Sequence, residues 1–132
     1  MSFGSRLRSR LAPTIALVVT LGLGLGTRAL LSGWVSKYLG VALWATLVYF
    51  IIVWISPRVS VRRAFVICVV VSFVVELAQL TPVPMALYEL YPLFALVFGT
   101  TFNAPDLPAY VAGALIGAAA DRAAIRRLTS ND

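Results

Sequence analysis

Six side chains could bind a polar ligand within an otherwise apolar chain: Arg28, Ser72, Glu76, Gln79, Asp106 and Tyr110. The stretch VVVSFVVELAQL, residues 69–80, sets Glu76 near the end of a long apolar run. A charged side chain at a bilayer centre costs roughly 2.5–3.5 kcal/mol on insertion scales, so an acid there needs a partner or a task. Cys68, Ser72, Glu76 and Gln79 are spaced 4, 4 and 3, which places them on one helix face. That polar stripe should turn toward other helices. Asp106, Tyr110, Gly113 and Gly117, spaced 4, 3 and 4, form a second stripe. Its Gly113 and Gly117 make a GxxxG, a packing motif that lets another backbone approach closely.

The elements that position these residues follow from composition. The chain has 132 residues, 61% hydrophobic and 12% charged. A soluble domain carries about 25% charge. Too little polar surface remains to wrap a water-soluble core, whereas lipid solvates an apolar exterior. The sequence predicts a single all-α membrane domain over 1–132, with the lipid bilayer as its first partner. Four apolar segments, at about 11–27, 39–55, 64–80 and 104–120, each approach the ~17 residues needed to span. The Val/Ile-rich second and third would suit strands, but an open sheet edge cannot sit in lipid. The segment 84–99 is too apolar for an ordinary loop, yet Glu89 and Pro92 interrupt it. It is expected to form a short interfacial or re-entrant helix between the third and fourth spans. The first segment reads as an uncleaved span rather than a signal peptide, being long and without a clear small-x-small site.

Charge sets the orientation. Arg6, Arg8, Arg10, Arg58, Arg62, Arg63, Arg122, Arg126 and Arg127 fall on one side of the four spans, and Arg28 and Lys37 on the other. The positive-inside rule then puts both termini in the cytoplasm. Trp34 and Tyr38 fall at the outer interface and Trp54 at the inner one.

With that topology the third span runs outward and the fourth inward. Gln79 and Asp106 lie near the outer surface, and Glu76 and Tyr110 about one turn deeper, ~5 Å. With Arg28 at the outer end of the first span, these groups converge in an outward-facing polar pocket. Each also has a plainer role. Glu76 can bond Tyr110 or a carbonyl and lock helices. Asp106, between Pro105 and Pro108, suits an N-cap. Ser72 can bond its own preceding turn, and Arg28 can anchor the interface.

Other chemistries are not supported. With no histidine and one cysteine, Cys68, neither a Ser-His-Asp triad nor a Cys/His metal set can form. Gly22-Leu23-Gly24-Leu25-Gly26 lacks the spacing of a dinucleotide loop and suits close packing or local flexibility. The sequence predicts no cofactor and no metal. No basic patch with interleaved aromatics is present to track nucleic acid, despite the net charge of +6.

Several runs carry a resemblance: 37–45, KYLGVALWA; 75–80, VELAQL; Gly99 and Phe102 before Asp106-Leu107; and 109–113, AYVAG. From about Gly26 to Gly117 the chain resembles a family of short bacterial membrane proteins of unknown function, distantly similar to VanZ-like proteins. The resemblance implies a multi-pass protein of the bacterial cytoplasmic membrane with an envelope-related role. It implies shared positions at Glu76, Gln79, Asp106, Tyr110 and Gly113. Two departures stand out. Relatives tend to carry an aspartate where this chain has Val41, and an arginine after the third span where this chain has none.

Three functions compete. The first is an envelope protein binding a lipid-linked, amphiphilic or glycan ligand in the outer pocket. The second is a small proton-coupled transporter, for which a buried glutamate is the motive. The third is an assembly or scaffold protein using the GxxxG. An enzyme would use Glu76 as an acid–base group, but no nucleophile or metal set accompanies it in the sequence.

Overall fold

The computed structural model describes residues 3–131. The side chains of Arg6 and Arg8, counted in the charge bias above, lie outside the described part. Among the described residues the chain forms six helices and no strand: α1 (Phe3–Leu30), α2 (Gly33–Ile55), α3 (Val61–Ala78), α4 (Val83–Leu90), α5 (Phe94–Phe98) and α6 (Asp106–Ser130).

The centre is α2, which packs against α1, α3 and α6, while α3 also packs on α6. Three contacts give the register, antiparallel for α1 with α2 and for α3 with α6, parallel for α2 with α6. Arg10 lies over the Trp54 ring at 5.3 Å, so the N-terminal part of α1 meets the C-terminal end of α2. Tyr49 meets Asp121, and Tyr110 meets Glu76.

The interior is small and polar, and the exterior is apolar. Ala42, Ala45, Thr46, Ala64, Cys68, Ser72 and Ala114 are buried together with Tyr49, Phe50, Val53 and Tyr110. Large aliphatic side chains along α1, α2 and α3 point outward, among them Leu23, Ile51 and Val70. Such a surface would be a liability in water. In lipid it is the solvated face, and close packing of small residues holds the helices together. Hydroxyls on the spans satisfy themselves. Thr20 donates to the Ala16 carbonyl at 2.6 Å, and Thr27 to Leu23 at 2.7 Å.

By length and composition, α1 from Arg10 to Leu30 and α2 can each cross a membrane. A third span results if α3 and α4, bent by 84° at their junction, count as one. Four such spans are not evident. In α6 Asp106, Asp121 and Arg122 bound a run rich in alanine and glycine, which lowers its hydropathy although it is 25 residues long.

Local chemistry explains the breaks. Ser60 caps α3, its Oγ accepting from the Arg63 N–H at 3.2 Å. Pro82 has no N–H to carry α3 onward, so the chain turns after Ala78 and restarts as α4. The expected single helix at 84–99 is two short ones. Pro92 forces Tyr91 into an extended conformation, φ −145° and ψ 112°, which ends α4. The glycines at 22, 24 and 26 lie within unbroken α1, and a Cβ on any of them meets nothing within 4 Å. The close packing expected there is not present.

Candidate functional site

The stripe read from the third segment is the buried face of α3. Ala64, Cys68, Ser72 and Glu76 recur every four residues, and each is 0% exposed. Ser72 takes its plainer role, its Oγ donating to the Cys68 carbonyl at 2.8 Å. Cys68 donates to the Ala45 carbonyl on α2. Thr46 lies within hydrogen-bond distance of the Ala42 carbonyl on its own helix and the Gly113 carbonyl on α6. These bonds set the spacing of α2, α3 and α6 below the acid.

Glu76 is the centre of the end of the bundle where α3 finishes and α6 begins. Oε2 accepts from the Tyr110 hydroxyl at 2.7 Å, and Oε1 accepts from the Asn103 backbone N–H at 2.6 Å. One carboxylate thus ties α3 both to α6 and to the loop before it. The Tyr110 ring is held in turn by Trp44, edge on, at 5.5 Å. A buried carboxyl group is tolerated only where its oxygens find partners, and two internal donors serve them here.

Around that centre lie three polar groups with weaker internal commitments. Asp106 accepts from the Asn103 side-chain amide at 2.5 Å and lies 3.9 Å from the Lys37 ammonium. The two are unequally placed, the Asp106 side chain 9% exposed and that of Lys37 48%. At that distance and exposure the pair contributes little to stability. Gln79 donates to the Phe98 carbonyl at 2.5 Å. Its Oε1 is buried and meets no donor among the described residues. An orphaned buried acceptor is uncommon in a finished core.

Asp106 is not the N-cap. Pro105 takes that position without a side-chain bond, and Asp106 is the first helical residue. There its charge still favours the helix dipole. Arg28 does not join the group. It is exposed on the last turn of α1, makes no ion pair with Glu76 or Asp106, and sits on a helix that packs mainly on α2. Val41 is partly buried against the core.

Three participants escape a reading by side-chain type. Asn103 contributes through its backbone N–H, which leaves no mark in sequence. Lys37 enters the sequence reading through the charge bias and not as a candidate site residue. The Tyr49–Asp121 pair, 2.7 Å apart, closes the opposite end of the α2–α6 seam. One signal was available for it, since Asp121 continues the Gly113, Gly117 spacing by four.

Gly99 lets Gln79 lie flat on the loop. Its φ of +64° with ψ −178° belongs almost only to glycine. A Cβ there would stand 2.6 Å from Gln79 Nε2. Gly99→Ala should therefore lower stability by about 1–3 kcal/mol, read as an earlier midpoint in denaturation from detergent. Gly22→Ala, into open space on a helix, should hold or slightly raise the midpoint. Equal midpoints for Gly99→Ala and wild type would refute this account of the loop.

The sequence profile of one family, described as protein of unknown function (DUF2809), matches residues 30–114. That stretch contains Lys37, Glu76, Gln79, Asn103, Asp106 and Tyr110. No curated protein matches the chain, and no solved structure does.

Proposed function

The chain belongs to the DUF2809 family of proteins of unknown function, and from that premise we propose that it binds an amphiphilic or glycan ligand at the outer face of a membrane. The observation that carries this reading is the rim around Glu76. Gln79 Oε1 is buried and meets no donor among the described residues, and the Lys37–Asp106 pair is long, with Lys37 half-exposed. A ligand with hydroxyls and an anionic or polar head would satisfy both.

In this reading α1, α2, α3 and α6 are four spans. The small residues that lower the hydropathy of α6 are the ones that let it pack on α2. The arginine-rich end faces the cytoplasm by the positive-inside rule, so both termini lie there. In this reading the membrane is the bacterial cytoplasmic membrane, and the envelope role rests on the resemblance that the runs 75–80 and 109–113 carry to VanZ-like proteins. Helices α4 and α5 lie in the outer interface, where their exposed apolar side chains Val83, Leu90, Leu93 and Val97 meet lipid.

The scaffold alternative loses its motive, because Gly113 and Gly117 face Ala42 and Tyr49 of the same chain. A proton-coupled transporter needs an acid within reach of solute. Glu76 is fully buried with both oxygens engaged, so this conformation lends that alternative little.

A deletion strain profiled against envelope-targeting antibiotics tests the proposal. Wild type, Lys37→Gln, Asp106→Asn and Glu76→Gln are returned at matched membrane abundance. Wild type should restore the phenotype, and the two rim variants should fail to. Restoration by all three variants would reduce the cluster to a structural lock.

A further inference from the structure

The opposite end of the bundle carries a second arrangement that the outer site does not use. At the start of α3 a surface hollow of about 400 Å³ is lined by Ser60, Arg62, Arg63, Val66 and Ile67. Its size is that of a small-ligand site. Its lining is divided along the helix. Arg62 and Arg63 stand in the first turn of α3, and Val66 and Ile67 continue the wall one turn along, all four exposed. Neither guanidinium has a hydrogen-bond or ion-pair partner among the described residues. The helix terminus itself is partly spent, since Ser60 already accepts from the Arg63 N–H.

The charge around the hollow is one-sided. Arg10 lies over Trp54 at this end, Arg58 is exposed in the α2–α3 turn, and Arg122 is exposed on α6. The nearby acid Asp121 is engaged by Tyr49. The other end of the bundle instead pairs Lys37 with Asp106.

We infer that this hollow is a binding site for an anionic phospholipid, the phosphate between Arg62 and Arg63 and an acyl chain against Val66 and Ile67. Guanidinium groups match phosphate oxygens in a bidentate fashion. Basic hollows beside membrane helices hold anionic headgroups by the same chemistry. The apolar wall selects a lipid over free phosphate, because only a lipid places hydrocarbon next to its phosphate. This inference does not depend on the outer site.

The test uses the full-length chain in zwitterionic detergent micelles, titrated with phosphatidylglycerol and followed by the shift in melting temperature. Wild type should be stabilised in a saturable way. The Arg62→Gln/Arg63→Gln pair should weaken the apparent affinity by about thirtyfold, at roughly fivefold per arginine. Arg122→Gln/Arg127→Gln, equal in charge and carried on α6 outside the hollow's lining, should cost no more than about fivefold, because these side chains act on the phosphate only through a screened field. Equal weakening by both pairs would show a diffuse field and overturn the proposal. So would full stabilisation of wild type by inorganic phosphate alone. If Arg62→Gln/Arg63→Gln fails to fold, Val66→Asn/Ile67→Asn replaces it. Unchanged phosphatidylglycerol affinity in that variant would equally overturn the site.

Discussion

Gly113→Leu should leave no stable folded protein, and Gly113→Ala should already be destabilised by about 1–3 kcal/mol or more. A Cβ at this position would stand 1.9 Å from the Ala42 carbonyl oxygen. Restoring even a 3.0 Å contact requires α2 and α6 to part by about 1 Å. The obstacle is backbone, so no rotamer change relieves it. Parting the helices also lengthens the 2.8 Å contact between Thr46 and the Gly113 carbonyl. It disturbs the seat of the Tyr49 ring on Gly117, where a Cβ would meet the ring at 2.8 Å. Alanine gains about 1 kcal/mol of helix propensity over glycine. That gain is smaller than the packing loss when the partner cannot move. Thermal unfolding in detergent, with size exclusion as a check on folding, measures the effect. Adding Ala42→Gly should not rescue Gly113→Ala, because the carbonyl remains. A rescue, or a wild-type melting curve for Gly113→Leu, would mean that the α2–α6 seam is not closed as described.

Glu76→Ala should be the second most damaging change. It orphans the Asn103 N–H and the Tyr110 hydroxyl together and opens a void beside them. Each unsatisfied buried group costs about 1–3 kcal/mol, and the lost side-chain volume adds a cavity term. A loss of about 3–5 kcal/mol is the expected sum, near that for breaking a buried charged network. Tyr110→Phe removes one bond and should cost about 0.6 kcal/mol, the average for bonds between membrane helices, and no more than about 1.7 kcal/mol. Glu76→Gln should be milder still. Its oxygen can accept from Asn103, and its amide can donate to a Tyr110 hydroxyl that has turned to accept. Stability should therefore rank wild type, Glu76→Gln, Tyr110→Phe, Glu76→Ala from highest to lowest. If Glu76→Ala matched Tyr110→Phe, the Asn103 bond would carry no weight, and the loop would be held by something else. The mild effect of Glu76→Gln is also what makes it usable in the complementation test, since it changes charge while keeping the fold.

Much of the site is legible along single helices. Cys68, Ser72 and Glu76 share a face because a helix returns every 3.6 residues, and a polar face in an apolar helix has nowhere to go but inward. The same reasoning places Tyr110 and the two glycines on one face of the last helix, and the outward and inward runs set Glu76 level with Tyr110. The excess of arginine at one end is equally local, since it is a property of segments and their flanks.

What the sequence by itself determined is therefore the class of the molecule, the helix faces and the one pair, Glu76 with Tyr110, that those faces bring level. The tertiary structure alone decided who the neighbours are. Arg28 is left outside because α1 leans on α2, a choice made by side-chain fit that no spacing encodes. Asp106 turns to Asn103 and Lys37 rather than capping its helix, because Pro105 fills the cap position. The segment at 84–99 splits at Pro92, and Gly99 folds back on Gln79 through a backbone angle. The second donor to Glu76 is a main-chain N–H, a group every residue but proline carries. Periodicity is a property of one helix, whereas neighbours and main-chain donors are properties of the packed whole, and only packing selects among them.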